Sequence, residues 1–542
     1  MKAKRLIPFI LLSCALNTQA QERVIEMRAD RMIIYPQRMI LDEEETLGDI
    51  LAMYPDLMQT GFNNLLEGYA VRIDNVAINS DNRVACGQIK AKTIKAIQIC
   101  DNTGVAKGTT GLGRVIDINL MKKEDGLEGA TGVEAGTDNL IEHHALARYG
   151  NDKTDIVALS TYAYQDMDSH YSNRQNLFAH MTNQLTDRDR LLTYFTQEYN
   201  HNNYTAASTF ENEKCLARAR YFHNFNDKGT ELLLVGNYQY TRKAERNGRA
   251  SDGFNIKPEN DFVLYIAELN TPLTKHWGMM VGTEGDYTFT RYKALTATEN
   301  GDVRNLCKYT ESNNDLYLQL NYLAGPWRFT LGDRVMFYHY GTNGKKLNDT
   351  RNNFEASAIA SIQGHSQIQA AYHRKFINPA FTVTNEVTDI DWIFIKHGLS
   401  PRYVDETKLG YTYSKQGLTF NLASYYQQIE QADDIWRVNA SSYFRSGIVA
   451  LTAGVNLYMQ QGADNDYATF RLNPHVFLPY KMQINVNSIF ATHNTSLPCG
   501  ENVYMAVQLC KQWGRHWHTA VEWHDMFSSH YSAAMATVQY RL

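Results

Sequence analysis

The stretch Leu316–Tyr322 (LYLQLNY) decides the fold, because apolar and polar side chains alternate in it at every second position. Successive side chains of a β-strand point to opposite faces, so this period predicts a strand with one apolar and one wetter face. The pattern recurs in Met482–Ser488 and Leu418–Tyr426 and runs from about Gly126 to Leu542. Its polar positions hold Asn, Gln and Thr rather than Lys and Glu. More than 400 residues of this pattern are too many for one soluble β-sandwich. They favour a β-barrel with a polar, water-filled interior.

The connections between these candidate strands alternate in length. The strands number about 22, and single-chain bacterial barrels require an even number. Short turn-rich connections, such as Thr274–Gly278 and Ala324–Trp327, separate the longer ones. Outer-membrane barrels have short periplasmic turns and longer external loops, so the alternation predicts a sidedness. We expect external loops at Glu198–Asn212, Thr241–Asn260, Lys293–Asn314, Ile377–Glu406 and His493–Glu501.

The aromatic residues and the chain end agree with a membrane barrel. Trp277, Trp327, Trp513 and Trp517 stand beside the short turns, where an inner aromatic girdle is expected. The last segment, Ala534–Leu542, alternates to the terminus and predicts a closing strand that leaves no sheet edge exposed.

The N-terminus is typical of a secretion signal over residues 1–20. A basic start, a short apolar run at Leu6–Leu12 and a small residue at Ala20 predict cleavage before Gln21. Cleavage removes three positive charges and no acids, which moves the formal net charge from −5 to −8. Cys14 in a lipoprotein-like box is the alternative processing site. No other stretch has the ~20 apolar residues of a membrane helix.

Residues 21–125 differ from the rest and predict a small α/β domain. Residues 21–40 form an N-terminal extension, and residues 41–125 contain a short helix from Leu47 to Pro55, several short strands and a glycine-rich turn. That turn, Thr103–Arg114, lacks the Gly-Lys-Ser/Thr ending of a phosphate loop. We therefore predict a turn between strands and no cofactor.

These features together resemble TonB-dependent outer-membrane receptors, in which a plug domain fills a 22-stranded barrel. Arg72–Val76 resembles the family's strand and turn around Asp74 and Asn75, and Gly104–Leu120 resembles its closing plug segment with Gly108, Gly111 and Gly113 in step. Asn75 stands where the family has a turn glycine. The implied fold is an all-β transmembrane barrel over residues 126–542 with an α/β plug inside its lumen.

The resemblance also implies partners and an activity. It implies insertion by the barrel-assembly machinery into outer-membrane lipid, and uptake of a scarce extracellular ligand, such as a siderophore, cobalamin or glycan. It further implies coupling to a TonB-type protein through a short extended segment. The candidates in that segment are Arg23, Val24, Ile25, Glu26 and Met27. A plugged barrel acting as adhesin, sensor or envelope-complex partner is the alternative.

Two polar sets are candidates for ligand binding. His516, His518, Glu522 and His524 share one face of a predicted strand, opposite an aromatic face, so we expect them in the lumen. Residues two apart on a strand lie ~6.8 Å apart, so these flexible side chains could converge on an acidic ligand or a metal. Polar contacts to the plug are the favoured alternative, and no metal site is predicted. Arg242 and Arg246 belong to the expected external loop Thr241–Asn260.

Several classes of function are disfavoured. The chain is acidic with scattered basic residues, which speaks against nucleic acid. It lacks a nucleophile-elbow motif, which speaks against an enzyme. Cys86 and Cys100 flank one candidate strand and predict either a local disulfide or free small residues, while Cys307 and Cys499 are expected in surface loops.

Overall fold

A computed structural model of the chain describes most residues beyond the N-terminal segment. The described residues are 24–28, 31–39, 41, 45–52, 69–74, 76–77, 89–100, 114–121, 126–137, 139–167, 170–205, 208–247, 254–298, 301–342, 345–362, 364–377, 402–415, 417–430, 433–461, 466–492, 502–526 and 533–541.

The larger body is a closed antiparallel barrel of 22 strands, which confirms the predicted fold class. Its last strand pairs with its first, with Val538 opposite Val133, so the barrel has no free edge. The strands are β7 Gly126–Gly136, β8 Ile141–Gly150, β9 Thr154–Met167, β10 His170–Gln184, β11 Asp189–Thr205, β12 Ser208–Asn224, β13 Glu231–Asn247, β14 Phe254–Pro272, β15 Trp277–Thr298, β16 Gly301–Ala324, β17 Trp327–Thr342, β18 Lys345–Ile362, β19 Ser366–Ile377, β20 Arg402–Lys415, β21 Leu418–Ile429, β22 Ile435–Ser446, β23 Val449–Gln460, β24 Tyr467–Leu478, β25 Met482–Ala491, β26 Val503–Trp513, β27 Trp517–His524 and β28 Ala533–Arg541.

The two faces of the barrel wall follow the period-2 pattern. Leu316 and Leu318 are 58% and 43% exposed on the outer surface, whereas Tyr317 between them is 3% exposed. Asn485 and Asn487 likewise point inward and are buried. The four tryptophans beside the short turns are exposed on the outside: Trp277, Trp327, Trp513 and Trp517. An apolar outer band with an aromatic rim suits hydrocarbon surroundings.

Several expected external loops are wrong, because the strands continue through them. The segments Glu198–Asn212, Thr241–Asn260 and Lys293–Asn314 lie mostly within strands, and Cys307 belongs to β16 rather than to a loop. The strand β16 has 24 residues, a length of about 80 Å along its axis. Spanning a membrane takes ~9–11 residues, so β14–β16 extend well beyond that band at the end away from the short turns.

The smaller body is a six-stranded mixed sheet in the order β1-β2-β5-β6-β3-β4. Its strands are β1 Ile25–Met27, β2 Met32–Ile34, β3 Tyr69–Ile73, β4 Val76–Ala77, β5 Ile94–Cys100 and β6 Arg114–Leu120. One short helix, α1 Leu47–Ala52, accompanies it, and 3-10 turns occur at Pro36–Arg38, Ala91–Thr93 and Pro479–Lys481. No helix in the described parts of the chain is long and apolar enough to cross a membrane.

The small sheet packs against the inner wall of the barrel. Its apolar core includes Ile34, Leu47 and Ile97, and this cluster continues into inward-facing Leu159 and Phe178 of β9 and β10. All five side chains are fully buried. The lumen wall is therefore apolar at Leu159 and Phe178, where it continues the core of the sheet, and the sheet occupies the lumen as a plug.

One prediction concerns the close approach of β15 to its neighbours. A Cβ on Gly282 would lie 2.5 Å from the Tyr317 ring and 2.9 Å from the Ala267 carbonyl oxygen. Tyr317 is buried and bonded to Glu268, so it cannot swing away. We expect Gly282→Ala to lower stability by about 1–3 kcal/mol, seen as a lower unfolding temperature of the purified protein in detergent. In Gly236→Ala the added methyl meets open space, so equal effects of both substitutions would contradict the packing argument.

Candidate functional site

The N-terminal candidate segment forms the edge strand of the plug sheet. Ile25–Met27 is β1, and it pairs antiparallel with β2, with Ile25 opposite Ile34. Val24 and Ile25 are 4% and 1% exposed, so their side chains are committed to the plug core. Arg23 lies outside the described residues. The expectation of a short extended segment here agrees with β1, but its role in coupling stays a prediction.

Glu26 ties this edge strand to the barrel wall. Its carboxylate pairs with Arg328 of β17 at 3.0 Å and accepts a hydrogen bond from the Tyr35 hydroxyl at 2.8 Å. Burial opposes ionisation of Glu26, but the Tyr35 bond and the charges of Arg28 and Arg328 hold its pKa below the usual range. The Gln369 amide of β19 also donates to the Arg28 carbonyl at 2.9 Å. Residues 26–28 are thus bound to the barrel wall both by an ion pair and by a hydrogen bond to the backbone.

Asp74 occupies the turn between β3 and β4 and also contacts the barrel. It has a left-handed backbone with φ 49°, which Asp tolerates better than most residues. Its carboxylate accepts from the Leu120 N–H at 3.0 Å and lies 4.0 Å from His180 Nδ1, while its carbonyl accepts from Arg220 at 3.3 Å. The other plug-motif residues, Asn75, Gly108, Gly111 and Gly113, lie outside the described residues.

One further ion pair and one hydrogen bond join plug and barrel. Glu45, just before α1, pairs with Arg445 of β22 at 2.6 Å, and both side chains are 7% exposed. The Arg445 guanidinium also stacks over the Phe477 ring at 4.5 Å. Arg148 of β8 pairs with Asp155 at 2.6 Å and donates to the Met121 carbonyl that follows β6. Such buried pairs are costly to break from one side, because the remaining charge stays uncompensated.

All of these contacts lie near the short-turn end of the barrel. Each barrel residue involved stands within five positions of the strand end that meets a short turn: Arg148, His180, Arg220, Arg328, Gln369 and Arg445. Among the described residues, the polar ties between plug and barrel therefore lie at one end of the lumen.

The predicted histidine face is only partly assembled. His516 is in the turn before β27, because Gly514 takes φ 65° and the strand begins at Trp517. Its Nδ1 lies 2.7 Å from the Arg541 carbonyl oxygen. The expected strand therefore began one residue too early, at His516 instead of Trp517. Glu522 and His524 do meet, with Nε2 and Oε2 3.0 Å apart. His518 is on the same inward face of β27, at the paired position opposite Gln539.

Sequence reasoning missed the partners of Glu522 on neighbouring strands. A chain of side-chain hydrogen bonds crosses four strands of the lumen wall. It runs from His475 to Asn485 at 2.9 Å, from Asn485 to Gln508 at 2.7 Å, and from Gln508 to Glu522. Register brings these residues together, and alternation within one strand does not reveal register. The described residues hold no group of three or more His, Cys, Asp or Glu arranged to bind a metal ion.

The structure does not bring the remaining candidate residues together. Arg242 and Arg246 lie on the outward face of β13 rather than in a loop, with Arg242 opposite Glu213 and Glu259 on its neighbours. Cys100 is buried at the end of β5. Cys86, its predicted partner, lies outside the described residues, so the disulfide stays a prediction.

Solved structures share this fold despite low sequence identity. The copper transporter OprC matches with a TM-score of 0.71 at 10% identity, over 97% of this chain and 100% of that one. The alcaligin outer-membrane receptor FauA from Bordetella pertussis matches with 0.67 at 11% identity, over 95% of each chain. The FrpB iron transporter from Neisseria meningitidis matches with 0.68 at 10% identity, over 95% of this chain and 100% of that one. No family model and no curated protein matches the chain. The resemblance to TonB-dependent outer-membrane receptors is confirmed as a shared fold.

The Glu45–Arg445 pair yields a double-substitution prediction. Arg445→Met leaves Glu45 buried without its cation, and we expect a loss of about 3–5 kcal/mol. Adding Glu45→Gln removes the stranded charge and restores most of that stability. Unfolding temperatures of the purified variants measure both steps, with Arg188→Met at an exposed turn as the control. Strictly additive losses in the double variant would contradict a buried pair.

Asp74 yields a pH prediction. Burial, aided by the nearby Asp117 carboxylate, raises the pKa of Asp74 to about 7. The folded state then holds a proton that the unfolded state releases, so stability falls as pH rises from about 4 to about 7, by at most about 1.4 kcal/mol per pH unit. We expect Asp74→Asn to flatten this slope, while Asp227→Asn in an exposed turn leaves it intact. A slope unchanged in Asp74→Asn would disprove the assignment.

Proposed function

We propose that this protein is an outer-membrane receptor that takes up a scarce extracellular ligand with energy-coupled displacement of its plug. The observation that carries the proposal is the plug itself, a folded sheet held inside a closed barrel by ion pairs at one end. A passive pore has no use for such an obstruction. The solved structures that share the fold are named as copper and iron transporters and as a siderophore receptor, and uptake of a comparable scarce nutrient is proposed by analogy.

The edge strand β1 is the proposed handle for energy coupling. Its three residues form one short ladder with β2, and an edge strand offers backbone groups with which another chain can pair. We propose that a TonB-type protein engages β1 from the periplasmic side and pulls it from β2. Loss of β1 also breaks the Glu26–Arg328 pair, which removes one tie between plug and wall.

The proposal places the short-turn end at the periplasm and the tall end of β14–β16 outside the cell. It also requires export by the signal at residues 1–20, assembly by the barrel-assembly machinery and division of the chain into extension, plug and barrel. The ligand is an extracellular small molecule or oligomer that enters from the tall end.

A non-transporting surface protein is the second candidate. The strands β15 and β16 have 22 and 24 residues and extend beyond the membrane band. Another macromolecule could contact this extended part of the sheet. In this alternative the plug is a permanent closure and β1 has no partner.

Binding to the energy-coupling protein distinguishes the two. We expect the purified protein to retain the periplasmic domain of a TonB-type protein in a pull-down, and Ile25→Pro to weaken this at least tenfold, because proline removes a backbone N–H from the edge. Tyr480→Ala alters a side chain that is 85% exposed in a short turn and serves as the control. Failure of the unaltered protein to bind would favour the surface-protein alternative.

A further inference from the structure

The inner wall of β14–β17 carries more carboxylates than cations. Register places Glu284 opposite Asp315 and Asp286 opposite Asn313, on the face away from outward Tyr287 and Leu316. The inward acids of this region are Glu268, Glu284, Asp286, Glu311 and Asp315. Among the described side chains of the same face, the cations are Arg334 and Arg328, and Arg328 is taken by Glu26.

Arg334 neutralises part of this patch. It is 1% exposed, and its Nη2 lies 2.6 Å from both Glu284 Oε2 and Asp315 Oδ2. Glu268 accepts a hydrogen bond from the Tyr317 hydroxyl at 2.8 Å. Asp286 accepts from the Asn313 amide at 3.1 and 3.2 Å. The buried Arg334 guanidinium thus forms ion pairs with two carboxylates, whereas Asp286 accepts its hydrogen bonds from an uncharged amide.

Two buried oxygens of the patch have no donor. Asn313 Oδ1 and Asp315 Oδ1 lack a hydrogen-bond partner, and both residues are 2% exposed. A buried acceptor without a donor is unfavourable, and surplus buried charge adds to that cost. Asn313 and Asp315 share the inward face of β16, and Asp286 lies opposite Asn313 on β15. What the patch lacks is positive charge and N–H donors.

The patch also lies beyond the plug contacts. Asp286 is nine positions from Trp277, and Asp315 is nine positions from Ala324, at the short-turn end of their strands. The polar plug contacts of the described residues stand within five positions of such ends. The patch therefore faces the part of the lumen on the side of the tall strand ends, from which a ligand would enter.

We propose that Asp286, Asn313 and Asp315 bind an ammonium or guanidinium group of an organic ligand. An ammonium has three donors and no acceptor, which matches a site with unfilled acceptors. Buried Tyr338 stands opposite Asn313 on β17, and an aromatic ring beside a site favours a cation. The neighbouring Tyr317 ring already holds the Arg334 guanidinium at 5.1 Å. The inference deepens the proposed uptake function, since it names the chemical class of the ligand.

Binding of spermidine to the full-length protein in detergent tests this assignment. We expect saturable binding by calorimetry, weakened at least tenfold in Asp286→Asn and in Asn313→Leu. Glu134→Gln is the matched control, because it neutralises a carboxylate that is 4% exposed on β7, eight strands from β15 around the barrel. Absence of spermidine binding, or equal binding by all variants, would overturn the proposal. Displacement of spermidine by Ca²⁺ at matched ionic strength would also overturn it in favour of a metal site.

The ligand-free protein gives a second readout. Asp286→Asn keeps an acceptor for Asn313 but removes one unit of surplus charge, so we expect its unfolding temperature to rise. A carboxylate with a purely structural role would give a fall instead. Both measurements use purified protein without an energy source or a TonB-type partner. They can fail while the pull-down of the unaltered protein succeeds, and the reverse also holds.

Discussion

The constraint on which this structure depends is the closure of the backbone hydrogen-bond ladder between β28 and β7. In hydrocarbon an unpaired N–H or C=O group costs several kcal/mol, so a sheet spans a membrane only without edges. The pairing of Val538 with Val133 removes the last pair of edges. Once the ring is closed, alternation along each strand assigns every side chain to the apolar outside or to the lumen. The polar faces then enclose a wide interior, and the plug occupies it.

Filling that interior raises a second requirement, because the proposed uptake needs a plug that is held in the lumen and can still be displaced. Its apolar core merges with the wall at Leu159 and Phe178, which gives non-directional stabilisation. The ion pairs Glu45–Arg445 and Glu26–Arg328 add directional ties at a few points. A buried pair contributes modest net stability while intact but is expensive to break singly. Such a pair therefore suits a domain that stays in place at rest and moves as a unit when force is applied.

The sequence alone predicted more of the fold than of the candidate binding site. The period-2 pattern placed Leu316 and Leu318 outside and Tyr317 inside, since facing within one strand follows from alternation. It missed the continuation of β13 through Arg242 and Arg246, because beyond the apolar band a strand can carry charged residues on both faces. It also misplaced His516, since the turn at Gly514 shifted the start of β27. The partners of Glu522 and the pairing of Asp286 with Asn313 depend on register between strands. Register is fixed by turns and by packing across the sheet, which a single strand does not encode.

The charged side chains of the lumen wall differ between the plug contacts and the acidic patch of β15 and β16. Near the short turns, plug carboxylates meet barrel arginines: Glu26 with Arg328 and Glu45 with Arg445. Farther along β15 and β16, the wall retains buried oxygens without donors at Asn313 and Asp315. If stability had been the sole requirement, an apolar residue or one more cation would fill such positions at lower cost. In the proposed uptake, the donors that Asn313 and Asp315 lack would come from the ligand, which would reach them from the side of the tall strand ends.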